Sequence, residues 1–399
     1  MKILVINAGS SSLKYQLIDM DNEQVLAKGN CERIGQEGAF IGFKTADGKK
    51  EIKTEMNNHT QAFEAVKNVL IDENYGAIKD LSEVSAIGHR VVQGGAFFNK
   101  SVLIDSEVIA KVEEFSPLAP LHNPANLQGI EACTNVFGKD IPQVAVFDTA
   151  FHQTMPEKAY MYAIPYEYYE KYGIRKYGFH GTSHRYVSDK MAKLMGREDL
   201  KLITCHIGNG SSLTAIKNGE VIDTTMGLTP LGGFMMGTRS GSIDPSVITF
   251  IAEKENLTPA EASNLLNKKS GLLGISGLSS DDRDISSAEA NGDARAHLAH
   301  EMLYYQIAQY IGSYYVALGG CDGIIFTAGI GENQPLLREK VCDYLECLGV
   351  KIDKEFNATA RLGITGTLST PDSKIRVELI ATDEEMVIAR DTKAIVEAL

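Results

Sequence analysis

The chain has 399 residues, 44% hydrophobic and 23% charged, with 39 Lys+Arg against 52 Asp+Glu and a formal net charge of −13. This composition excludes a disordered tail and supports two to three domains at about 150 residues each, two being the better count for an α/β enzyme. The charge excludes general attraction to nucleic acid or to an anionic membrane, so any anion must be held by a local site working against the overall field.

Met1 to Leu26 reads as two or three strands, KILVINAG, SLKYQLIDM and EQVLAKG, joined by Gly9-Ser10-Ser11-Ser12 and Asp21-Asn22 turns. The first is almost continuously apolar, as a strand covered on both faces requires. Its run Ile3–Ile6 is too short for a signal segment. No stretch reaches the roughly 18 apolar residues of a membrane span, which points to a soluble cytoplasmic protein. A helical period follows over 60–75, then the strand VSAIGHRVVQGG, helices over 106–115 and 124–137, and the buried strand QVAVFDTAF.

A second half begins near residue 150. Offset by two hundred residues, Ser11, Ser12 and Leu13 fall on Ser211, Ser212 and Leu213, and Ile3 falls on Ile203. Both segments read strand, Gly/Ser turn, strand, polar turn, strand, which suggests two related domains unless the short pattern recurs by chance. Helices over 246–270 and 286–318, the strand and glycine loop of CDGIIFTAGIGEN, a helix from about Gln334, the strand VELIAT and a closing helix complete a two-domain α/β chain. Six cysteines without C-x-x-C spacing read as reduced thiols.

No Walker A, Rossmann, H-E-x-x-H or G-x-S-x-G signature occurs. Three glycine-rich turns follow buried strands, at 8–12, 208–212 and 329–333. Small residues let backbone N–H groups approach phosphate oxygens, although any one such loop is equally ordinary turn chemistry. Lys14 shares a strand face with Ser12, as a phosphate contact or as a surface lysine. Arg90 and Arg239 adjoin glycine turns; bidentate guanidinium suits carboxylate and phosphoryl oxygens, and a structural salt bridge is the alternative. Asp148 ends a buried strand, either as a site residue or as a helix cap. His180 and His184 stand four apart without a Glu, a poor metal pair.

Jointly these strings resemble the acetate kinase family, of the sugar-kinase and actin-like superfamily. The matching strings are NAGSSSLKY, GHRVVQGG, PLHNPAN, FDTAFH, GFHGTSH, HIGNGSSL, MGTRSGSIDP, SGLSSDDRDI, FTAGIGEN and ATDEEMVIA. Gln93 stands where the family often has His, and Asp383 where it often has Asn. The resemblance implies two ribonuclease-H-like domains flanking a nucleotide cleft. Residues 1–150, completed by the helix 385–399, would form the first, and 151–384 the second. It implies a homodimer that binds neither nucleic acid nor membrane.

By matched position, Asp148, His180 and Arg239 are implied as catalytic, with Arg90 as the acetate-carboxylate ligand. Val92, Leu121, Phe179 and Pro230 would surround the methyl group. Lys14 would contact ATP phosphate. Nucleotide loops would comprise His206, Ile207, Gly208, Asn209 and Gly210; Asp281, Asp282 and Arg283; and Gly329, Ile330, Gly331, Glu332 and Asn333. Asn7 and Glu384 would hold Mg²⁺ or Mn²⁺. The implied reaction is reversible in-line transfer of the ATP γ-phosphoryl to acetate. Because acetate carries no proton to remove, Asp148 is expected to orient an arginine or a metal-bound water rather than to act as a base. A propionate or butyrate kinase is the near alternative, and an actin- or chaperone-like ATPase switch the distant one.

Overall fold

The computed structural model describes residues 1–120, 122–361 and 363–399. The chain divides into two compact units, Met1–Phe151 with Asp383–Leu399, and His152–Thr382. Glu384, expected at the end of the second domain, therefore belongs to the first unit.

In the first unit, β1 (Lys2–Ala8), β2 (Ser12–Asp19), β3 (Gln24–Glu32), β4 (Phe40–Thr45), β5 (Gly48–Lys53), β6 (Val84–Val91), β7 (Val102–Leu103) and β8 (Gln143–Phe147) form one sheet in the order β5-β4-β3-β2-β1-β6-β8-β7. β1 runs antiparallel to β2 and parallel to β6, which is parallel to β8. Successive strand residues face opposite sides. Ile87 joins a buried cluster with Ala132 and Cys133 of the helix Asn123–Phe137. A Cβ on neighbouring Gly88 would lie 2.6 Å from Ile388 of the helix Glu384–Val396. Both faces of the sheet are thus covered, in keeping with the almost continuous apolar run of β1.

The second unit carries β9 (Lys201–Ile207), β10 (Ser211–Lys217), β11 (Glu220–Thr224), β12 (Gly323–Thr327), β13 (Gly366–Thr367) and β14 (Arg376–Leu379), ordered β11-β10-β9-β12-β14-β13. Strand for strand this repeats β3-β2-β1-β6-β8-β7, with antiparallel pairing among the first three and parallel pairing for β9–β12 and β12–β14. Each unit has the ribonuclease-H-like order. The repeat is not gapless, however. Leu13 pairs with Ala8, whereas Leu213 pairs with Cys205. The two-hundred-residue offset therefore superposes β2 on β10 and leaves β1 three residues out of step with β9. In strands buried on both faces no polar side betrays such a slip.

Other departures have local causes. The helical stretch over 246–270 is two helices, Pro245–Glu255 and Pro259–Lys268, separated by left-handed Asn256 and restarted by a Thr258–Glu261 capping box. Residues 328–333, expected as a loop, form a short helix, Ala328–Asn333. Among the described residues no helix is long and apolar enough to cross a membrane.

Candidate active site

In the first unit, Asn7, Arg90 and Asp148 lie at the C-terminal ends of β1, β6 and β8, three adjacent parallel strands, where α/β sheets gather functional groups. Arg90 grips Asp148 with two donors, Nε to Oδ1 at 3.0 Å and Nη2 to Oδ2, and its Nη1 reaches Asn7 Oδ1 at 3.4 Å. Asp148 is buried at 1% exposure beneath this arginine. Burial opposes the charge on Arg90, but Asp148 and Glu384 outweigh it and raise its pKa. Lys14 pairs across the hairpin with Asn7. Glu385 has its carboxyl pushed up, first by burial and then by Glu384 and Asp383, with Lys14 pulling the other way.

Two residues without a sequence-derived role hold this end of the sheet together. Asn126 accepts from the Val92 N–H at 3.1 Å and donates to the Ala8 carbonyl at 2.9 Å. Asn123 accepts from the Gln93 N–H and donates to its carbonyl, both at 3.0 Å. Val92 is buried beside Arg90, and Gln93, where the resemblance departs, caps the Gly95 N–H at 2.9 Å. Leu121 lies outside the described residues.

In the second unit, Gly208 and Asn209, Asp281–Arg283, and Gly329, Ile330 and Asn333 line one cavity of about 690 Å³, the range of a nucleotide-sized ligand. Three expected loops, distant in sequence, therefore converge. Not every member faces a ligand by its side chain. Glu332 turns inward and accepts from the Ala328 N–H at 2.9 Å and the Thr382 N–H at 3.2 Å. Asp281 caps its helix and pairs with Arg283, whose hydrogen bonds hold its carboxyl down to about 2. Asp282 accepts from Gln334 at 2.7 Å. A fully buried arginine with no carboxylate partner among the described residues, Arg338, donates to the Gly331 and Glu332 carbonyls at 2.8 and 3.0 Å and fixes the loop from behind; burial pushes it down to about 10. No spacing rule marks Arg338 or the two asparagines, because most of their partners are backbone atoms.

Beside this cavity the β9–β10 turn meets a guanidinium and an imidazole. A Cβ at Gly210 would lie 3.1 Å from Arg239 Nη1 and 3.7 Å from His180 Nε2, so a side chain there would press the guanidinium aside. Arg239 donates to the Pro230 carbonyl at 3.2 Å, and among the described residues no carboxylate comes within ion-pair distance of it. Burial alone lowers its pKa. His180 sits in a left-handed conformation (φ 59°) ahead of the helix Gly181–Met195, and Ala328 is likewise left-handed (φ 65°). Non-glycine residues held there cost about 1–3 kcal/mol and cluster at functional sites. Phe179 is buried beside His180; His206 stacks on the His180 ring at 4.0 Å and bonds Ser183 at 2.7 Å. Thus Asn7, Lys14, Arg90, Val92, Asp148 and Glu384 belong to the first unit, and all other described candidates belong to the second.

Residues 2–390 match the model of the Acetokinase family. The chain is 57% identical over 402 residues to the acetate kinase of Thermotoga maritima, covering 100% of both. It is similar in structure to Porphyromonas gingivalis acetate kinase, with a TM-score of 0.95 and 50% identity over 99% of each chain. A propionate kinase from Francisella tularensis is similar at a TM-score of 0.93 and 43% identity, over 98% of this chain and 99% of that one.

Proposed function

Because the chain belongs to the acetokinase family, we propose that it transfers the γ-phosphoryl of ATP reversibly to acetate. An acetate oxygen bonds to the γ-phosphorus as the bond to the bridging oxygen breaks, giving acetyl phosphate and ADP. Such transfer asks for positioning and charge stabilisation rather than covalent help from the protein. Arg90, fixed by Asp148, holds the acetate carboxylate near the Val92 side chain. The second-unit cavity takes the nucleotide. Arg239 and His180 donate to the equatorial phosphoryl oxygens, where charge concentrates.

Asn7 and Glu384 supply hard oxygen donors in the neighbourhood of Arg90. One amide oxygen and one carboxylate fit a divalent cation that arrives on phosphates, since Mg²⁺ takes only one or two protein carboxylates in such sites. When bound, Mg²⁺ or Mn²⁺ would neutralise charge on the phosphate oxygens. The active species is a cytoplasmic homodimer in this reading, and sedimentation of the pure protein tests the dimer.

The supporting observation is Arg239, a partly buried guanidinium with no acidic partner among the described residues, beside a glycine hairpin. Formation of ATP from ADP and acetyl phosphate tests the reading. Arg239→Ala should lower kcat about 10³-fold, the scale of a lost phosphoryl-stabilising arginine. ATP turnover indifferent to acetate would instead favour the conformational switch. One extra methylene is worth about 1–3 kcal/mol in an apolar pocket, so propionate should react more slowly without being excluded.

A further inference from the structure

Behind the nucleotide-sized cavity of the second unit runs a chain of polar groups that the phosphoryl-transfer reading leaves without a role. It begins at His300, 1% exposed on the helix Ala294–Leu318, which stands between two carboxylates of the helix Asp282–Ala290. His300 Nδ1 meets Glu289 Oε2 at 2.5 Å, and its Nε2 lies 3.2 Å from Asp282 Oδ1. A carboxylate on each side favours the ring that carries a proton on both nitrogens. Burial opposes that charge, but Asp282 and Glu289 outweigh it and raise the pKa of His300. Asp282 therefore has a cation against Oδ1 and enters the rest of the chain as an acceptor.

The other oxygen of Asp282 fixes an amide. Asp282 Oδ2 accepts from Gln334 Nε2 at 2.7 Å, and Ser286 Oγ, one turn along the same helix, accepts from it at 2.8 Å. A primary amide has two N–H donors and one carbonyl oxygen. Both donors are spent, and the carboxylate excludes the flipped amide, whose oxygen would face Oδ2. What remains to Gln334 is Oε1, to which none of the described residues donates. Gln334 is half-buried and lines the cavity with Asp282, Gly208 and Gly329. A short helix separates it from Gly329, about 7 Å at 1.5 Å per residue. Gly329 follows β12 where Thr327 pairs with His206 of β9, next to the hairpin that Arg239 approaches. With the phosphates at that hairpin, Gln334 stands on the nucleoside side.

We propose that Gln334 selects the base: its Oε1, fixed by Asp282 as a positioning residue, accepts from an exocyclic amine such as adenine N6 and opposes an oxo group in the same place. This rests on the reading that a nucleotide fills the cavity. A ribose hydroxyl would not need the device, because it donates or accepts and either end of a loose amide satisfies it. Only a group confined to one of those roles tells the two ends apart. An amine meets Oε1, whereas an oxo base sets two acceptors against each other, both deprived of water. A site built around such a bond rejects the analogue lacking it more strongly than an apolar pocket rejects a change of size.

Calorimetric titration of the full chain with ADP and with IDP, whose base carries an oxo group in place of the amine, tests this without relying on turnover. The wild type should bind IDP at least about tenfold more weakly than ADP. Gln334→Met keeps the length but removes both ends of the amide, and the ratio should fall below about threefold. Asp282→Asn frees the amide to present either end and should lower the ratio likewise. Each value is a ratio within one protein, so a loss of folded material cancels. A wild-type ratio near one overturns the proposal, as does an unchanged ratio in either variant. If neither variant folds, the wild-type ratio decides alone. A Gln334→Met protein that instead loses its preference for ADP over 2′-deoxy-ADP places the ribose at Gln334 and also overturns it. Failure to bind either nucleotide removes the cavity assignment and the proposal with it. A wild type that binds ADP selectively yet ignores acetate would sink the phosphoryl-transfer reading and leave base selection standing.

Discussion

Arg90 and Arg239 have the same side chain in opposite electrostatic situations. Arg90 neutralises a carboxylate that is 1% exposed, and the pair holds its charge against burial. Arg239 has burial working against its charge and, among the described residues, no acid to offset it. Their replacement should therefore affect stability to very different extents. Arg90→Ala strands Asp148 and should cost about 3–5 kcal/mol, read by urea unfolding. Arg239→Ala removes an uncompensated cation and should leave the same curve within about 1 kcal/mol while activity collapses. Asp148→Asn keeps the shape but loses the charge on the Arg90 clamp. It should raise KM for acetate and lower kcat/KM by about 10²-fold, without creating an alkaline requirement. Both arginines were legible in the sequence because each adjoins glycine turns. The fixed amide of Gln334 was not, since a glutamine in a sequence does not show which of its ends the neighbours have spent.

Among the elements, the helix Asn123–Phe137 matters through its first turn rather than through its buried stripe. Asn126 ties the end of β1 to the segment after β6 with two buried bonds. Asn126→Ala leaves the Val92 N–H and the Ala8 carbonyl unsatisfied and should cost about 2–4 kcal/mol, measured by chemical unfolding. The strands and helices that sequence patterning recovered are those with apolar faces. The hairpin of β4 and β5 was missed because Gly48-Lys49-Lys50-Glu51 is fully exposed and β5 has no alternation to detect. The short helix Ala328–Asn333 was read as a loop because its turn is closed by a side chain: Glu332 accepts the Ala328 N–H. Glycine content signalled a backbone that approaches a ligand closely, and it could not say whether that backbone was coiled.

At the scale of the whole molecule, two units repeat one strand order with separate cores. The Ser-Ser-Leu match made the repeat visible, and the three-residue slip in its first strand stayed hidden because apolar residues occupy both registers. Acid sensitivity of the first unit should centre on His89. His89 is buried against Gln143 at 2.7 Å, and burial pushes its pKa down to about 4. Above about pH 6.5 the ring is neutral folded or unfolded and contributes nothing. As pH falls below that value only the unfolded chain takes up the proton, so stability is lost until the folded ring titrates near 4. Between pH 7.5 and 5 this amounts to about 2 kcal/mol. Urea midpoints for the wild type should fall accordingly, and those of His89→Gln should fall by that much less.

The helix Glu384–Val396 gives the chain an order of birth at odds with its order of completion. The first unit leaves the ribosome earliest, yet the face of β6 at Gly88 waits for Ile388 and Thr392, made about three hundred residues later. The second unit, contiguous in sequence, finishes first. A translating chain thus carries an uncapped sheet through most of its synthesis, a window in which chaperones have something to hold. Premature termination would yield one sound half and one that cannot close.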